Sequence, residues 1–198
     1  IDAVGEVSAD TLDITIDPNP PVITDDAPAG WQTSPVTVTF EADDMVSGVA
    51  SIDMTWYAPI PGTTTMTVAG DTAQLVIDEL GLNTIEYSAV DTLGNRSTPA
   101  VCNVLFDDTV PVVAIDTDSG WSSTPVTVTI NASDVVPGLD GVLYWVGGVG
   151  PTAYTGPFQV SAEGSHLITA QAYDFAGNSA WASPATVHID TSKPIDPF

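Results

Sequence analysis

Six aspartates recur in matched places along this 198-residue chain, and they are the residues best equipped for chemistry. Asp17 and Asp107 stand in Ile16-Asp17-Pro-Asn-Pro-Pro21 and Phe106-Asp107-Asp-Thr-Val-Pro111. Asp44 and Asp134 each follow a run of alternating apolar residues. Asp91 and Asp174 open Asp91-Thr-Leu-Gly94-Asn95 and Asp174-Phe-Ala-Gly177-Asn178. Gathered three at a time, such carboxylates suit calcium, which takes six to eight oxygen ligands from carboxylates and carbonyls on flexible loops. The same pattern also has a purely structural reading. Asp bonds its own backbone in a turn, and Gly and Asn accept positive φ, so Asp-x-x-Gly-Asn is turn chemistry in its own right.

The elements that must position these residues come in two copies. Trp31-Gln-Thr-Ser-Pro-Val-Thr-Val-Thr-Phe40 returns as Trp121-Ser-Ser-Thr-Pro-Val-Thr-Val-Thr-Ile130, an offset of 121 − 31 = 90. The Asp-x-x-Gly-Asn segments are offset by 174 − 91 = 83, so the second copy is shorter in its middle. Tandem copies of a small unit signal an array, which builds length or presents surfaces.

Within each copy the pattern is β. Val36, Val38, Phe40 and Ala42 alternate with polar residues, as do Val126, Val128, Ile130 and Ala132. That is the period of a strand with one buried face. Ile52, Met54 and Trp56 match Val142, Tyr144 and Val146. Ile85, Tyr87 and Ala89 match Ile168, Ala170 and Ala172. Gly and Pro mark the turns, and no stretch has helical period. Short strands with frequent turns predict antiparallel sandwiches, residues 18–107 and 108–194, with a tail at 195–198. In that topology the loops after the second and sixth principal strands lie where the chain enters. The expected clusters are then Asp17, Asp44 and Asp91 above the first sandwich, and Asp107, Asp134 and Asp174 above the second, with Asp43 and Asp108 nearby.

Residues 1–17 repeat the end of a copy. Leu12, Ile14 and Ile16 match Cys102, Val104 and Phe106. They predict the terminal strand of a preceding or partner repeat. Its unpaired backbone would be satisfied within a longer array or by strand exchange between subunits.

Composition excludes several partners. There are 26 Asp and Glu against two Lys and Arg, for a net charge of −24. Nucleic acid and anionic membranes would be repelled. No apolar run approaches the roughly 20 residues of a membrane span. The acidic, lysine-poor composition fits a secreted protein in a saline or calcium-rich medium. Cys102 is the single cysteine, expected to be a small buried hydrophobe. Two histidines and one cysteine are too few for a zinc site. Gly147-Gly148-Val149-Gly150 has no helix after it, so it is not expected to bind phosphate. No nucleophile elbow or catalytic acid pair is present, and no enzyme is expected.

Aromatic residues offer another function. Trp31 and Trp121 are expected to wedge the cores. Tyr57 and Trp145 have the outward parity of their strands, and Trp181 is expected to begin the last strand. Exposed rings of this kind stack on sugars or pack against a neighbouring chain. Asn95-Arg-Ser97 and Asn131-Ala-Ser133 fit the N-glycosylation pattern.

Taken together, Trp-x3-Pro-Val-Thr-Val-Thr, Ser47-Gly48-Val49, Tyr154-Thr-Gly-Pro-Phe158, Asp174-x-x-Gly177-Asn178 and Asp190-x3-Pro194 resemble the bacterial immunoglobulin-like repeats of secreted and surface proteins. The resemblance implies a fold similar to fibronectin type III domains. It implies service as a spacer, adhesin stalk, filament part or carbohydrate-binding accessory module of a secreted enzyme. The partners so implied are neighbouring repeats or subunits, or cell-surface glycans.

Overall fold

The computed structural model describes residues 16–60 and 62–192. Leu12 and Ile14 of the expected assembly strand lie outside the described residues. Ile16 is exposed and belongs to no strand.

The described chain is all-β and forms two sandwiches in sequence. The first contains β1 (Val22–Asp25), β2 (Trp31–Gln32), β3 (Val36–Asp43), β4 (Val49–Tyr57), β5 (Thr63–Ala69), β6 (Thr72–Ile77), β7 (Gly81–Asp91) and β8 (Ala100–Phe106). One sheet has the order β1-β3-β6, and the other β2-β8-β7-β4-β5. The second sandwich contains β9 (Val112–Asp116), β10 (Trp121–Ser122), β11 (Val126–Ser133), β12 (Leu139–Val146), β13 (Val149–Ala153), β14 (Phe158–Val160), β15 (Gly164–Asp174), β16 (Ser179–Trp181) and β17 (Ala185–Ile189). Its sheets are β14-β11-β9 and β10-β17-β15-β12-β13, with β16 added along β15.

Alternation produces these layers. Every second side chain of β3 (Val38, Phe40, Ala42) is buried, and Thr39 and Glu41 between them take the opposite face. β7 delivers Ile85, Tyr87 and Ala89 from the opposite sheet, and β8 delivers Cys102, Val104 and Phe106. The second core repeats the plan with smaller residues. Ile130 stands where Phe40 does, Ala170 where Tyr87 does, and Ile189 where Phe106 does. Tyr144 stacked on Phe158 at 4.2 Å helps to fill that space. Both wells sit between two sheets, as in aligned sandwiches.

Three expectations need correction. The sandwiches are not wholly antiparallel: β2 runs parallel to β8, and β10 parallel to β17. These two-residue strands arise because the first strand's extension crosses to the other sheet and meets its last strand. Trp121 heads one of them and is 66% exposed, lying 4.9 Å from His188 instead of wedging the core. Trp181 does not begin the last strand. It ends β16, and Ala182 and the Ser183-Pro184 step separate it from β17. The Gly147-Gly148 pair is the positive-φ hairpin turn between β12 and β13.

A candidate cation centre at each junction

The fold gathers the six aspartates into the two groups the sequence suggests. One carboxylate oxygen from each of Asp17, Asp44 and Asp91 lies within 4.8 Å of the others, and the same holds for Asp107, Asp134 and Asp174. Backbone bonds between loops bring them there. Thr92 N–H donates to Gly48 O at 3.1 Å, which ties the β7–β8 loop to the β3–β4 loop. Phe175 N–H donates to Gly138 O at 3.2 Å in the second copy. Gly94 and Gly177 take φ of 94° and 95°, which lets each loop curl back on its Asp.

The linker aspartates are held by the asparagines that close the two Asp-x-x-Gly-Asn segments. Asn95 Nδ2 donates to Asp17 O at 2.8 Å, and Asn178 Nδ2 donates to Asp107 O at 3.0 Å. The signal was available: the two asparagines recur at the 83-residue offset of Asp91 and Asp174. Asp107 N–H donates to Gln32 O at 2.9 Å, so the parallel strand pair also anchors the linker. Asp17, Asp91, Asp107 and Asp174 are buried, and Asp44 and Asp134 are half-buried. Asp43 and Asp108 are exposed and stand outside the clusters.

Among the described residues no basic side chain compensates the charge of either cluster. Arg96 is the one Lys or Arg among the described residues, and it pairs with Asp53 at 2.6 Å. Asp53 is held below the usual carboxylate range, first by Thr67's hydroxyl and then, against burial, by Arg96. The aspartate clusters rely on hydrogen bonds instead. Burial works to raise the Asp91 carboxyl, but donors from Asn95, Ser47 and Leu93 outweigh it and leave it below the usual range. Asp44 behaves alike: burial opposes, and the backbone N–H groups of Ser47, Val46 and Gly48 prevail.

The second cluster is less satisfied. Asp174 Oδ1 accepts Asn178 N–H at 2.8 Å, but the buried Asp174 Oδ2 has no hydrogen-bond partner among the described residues. An orphaned buried carboxylate oxygen is costly and calls for a partner. The donor set is oxygen only, with no His or Cys, which fits a hard cation such as calcium and not zinc.

The aromatic candidates are divided between the sandwiches. Tyr57, on β4, is exposed and its hydroxyl donates to Glu86 at 3.4 Å. Trp145 and Trp181 meet on the second sandwich with ring centroids 5.0 Å apart at 33°. Trp145 is half-buried, because Trp181 and the backbone of Gly150 both lie against it. A Cβ at Gly150 would stand 2.8 Å from the Trp145 ring. Of this pair Trp181, 58% exposed, offers the more open surface. Asn95 of the first glycosylation pattern is half-buried and has its amide engaged, whereas Asn131 is exposed on β11.

No protein-family model matches this chain, and no curated protein matches it. Among solved structures it is similar to the fibronectin(III)-like modules of Clostridium thermocellum CbhA. They are 21% identical, with 85% of this chain and 93% of that chain covered and a TM-score of 0.36. Among the described residues no helix is long and apolar enough to cross a membrane.

Proposed function

We propose that this chain is a non-enzymatic structural segment of an extracellular stalk, adhesin or filament. It keeps distance and direction between neighbouring repeats through a short linker and a calcium ion held by Asp107, Asp134 and Asp174. The orphaned Asp174 Oδ2, buried in a group of three carboxylates with no basic neighbour among the described residues, is the observation that carries the reading. Asp107 supplies the linker's ligand, Asp134 that of the β11–β12 loop, and Asp174 that of the loop after β15. An ion bound to all three would cancel their repulsion and fasten the entering chain to the sandwich. Pro111, buried at the start of the second sandwich, stiffens the same link. The extreme negative charge fits a calcium-bearing extracellular medium, not a nucleic-acid or membrane partner. Thermal melts in calcium and in chelator test the proposal. Calcium should raise the melting temperature of the second sandwich; identical melts would remove the ion from the account.

A second reading rests on Trp181. Its exposed ring beside Trp145 is a surface on which a sugar can stack, as in an accessory module of a secreted hydrolase. Retention on an insoluble polysaccharide that is lost in Trp181→Ala would support it, and retention unchanged by that substitution would exclude it.

A further inference from the structure

The two clusters repeat in position but not in chemistry, and the difference lies in one residue. Ser47 of the first copy corresponds to Pro137 of the second: Ser47-Gly48 against Pro137-Gly138, at the 90-residue offset. The Ser47 hydroxyl sits among all three carboxylates of its cluster. Its Oγ lies 3.0 Å from Asp17 Oδ2, 3.3 Å from Asp44 Oδ1 and 3.0 Å from Asp91 Oδ2. Its backbone N–H donates to Asp44 Oδ1 at 2.9 Å, alongside those of Val46 and Gly48. Asp91 is served on both oxygens, by Leu93 and Asn95 N–H on Oδ1 and by Asn95 Nδ2 on Oδ2 at 2.6 Å.

Proline has neither hydroxyl nor N–H to give. Asp134 retains one such donor, Gly138 N–H, at 3.2 Å. The amide of Asn178 contacts Asp107 Oδ2 at 3.3 Å, whereas its counterpart Asn95 reaches Asp91. Among the described residues these two changes leave Asp174 Oδ2 bare, while the corresponding oxygen of Asp91 accepts Asn95 Nδ2 at 2.6 Å and has the Ser47 hydroxyl 3.0 Å away.

We infer that only the cluster ahead of the second sandwich takes a calcium ion, and that Ser47 with its neighbouring N–H groups stands in for the ion at the first. The inference rests on the calcium reading above and adds to it a division of labour between the repeats. The first junction is closed by its own donors and holds its shape without metal. The second is open to regulation by the calcium level around it.

Calorimetric titration of calcium into the 198-residue chain reads this directly. One equivalent per chain is expected. Asp107→Asn should abolish that heat, and Asp91→Asn should leave it unchanged. Ser47→Pro, which takes away the hydroxyl and the N–H together as Pro137 does in the second copy, should create a second equivalent. Two equivalents of similar affinity in the unaltered chain would overturn the inference while leaving calcium binding intact. Loss of the single site in Asp91→Asn with its survival in Asp107→Asn would overturn it too, as would a single equivalent in a folded Ser47→Pro. Absence of any calcium heat would instead overturn the calcium reading itself. Circular dichroism of each variant confirms that the β-sandwich signal is retained.

Discussion

Asp174→Asn separates a cation ligand from a turn former. In the turn, Asp174 Oδ1 accepts Asn178 N–H, and an asparagine carbonyl oxygen can do the same. The substitution therefore spares the turn and changes the charge. At 4.8 Å, the limit of separation between the ligand oxygens, two unit charges repel by ~3.5 kcal/mol at an effective dielectric of about 20. Asp107 and Asp174 are both buried, so this pair dominates; Asp134 is half-buried and its share is screened. After discounting for water and salt, roughly 1–2 kcal/mol of relief remains in the calcium-free protein. For a sandwich of this size that corresponds to a rise of roughly 4–16 °C in melting temperature. Differential scanning calorimetry in chelator should show the rise, and addition of calcium should no longer shift the transition. The reasoning is refuted if Asp174→Asn melts lower than the parent in chelator while keeping the parent's calcium shift. That pair of results would make Asp174 a turn residue alone.

Other consequences are as direct. Asp44 and Asp91 have carboxyls held below their ordinary value. Their contribution to stability is present above the unfolded pKa of about 4 and is lost as pH falls through the lower folded values. Ser47→Ala removes the one hydroxyl that lies within reach of both carboxylates, so acid unfolding of the first sandwich should move to higher pH in tryptophan fluorescence titration. Cys102 is buried in the first core, which pushes its thiol up to about 12, with Asp25 adding to the effect. It should resist alkylation at pH 8 in the native state and react fully in denaturant. Phe106→Ala empties a position that is 1% exposed, and should cost about 3–5 kcal/mol in urea unfolding of the first sandwich.

The sheets were legible because their residues obey one rule. Strands such as β3 and β11 bury every second side chain, so the period alone names the inward face. The clusters were legible for a different reason: two offsets placed the same aspartates at the same loop ends in both copies. What escaped was set by tertiary contacts. The parallel pairing of β2 with β8 depends on where the chain crosses between sheets, which no local pattern records. Trp121 follows from that crossing, since a residue on the resulting edge strand faces solvent and His188. In the sequence Ser47 figures only in the Ser47-Gly48-Val49 motif of the family resemblance. Its importance arises only when the linker and two loops converge on its hydroxyl.

The central claim is that calcium at the second junction fixes the entering chain to its sandwich. Small-angle scattering of the 198-residue chain in calcium and in chelator tests it most directly. The account predicts a particle of the chain's own 20.5 kDa mass in both, with a narrower distribution of interdomain distances in calcium. Identical scattering profiles in calcium and chelator would contradict it. So would a mass several times 20.5 kDa that persists in chelator, which would favour a strand-exchanged filament.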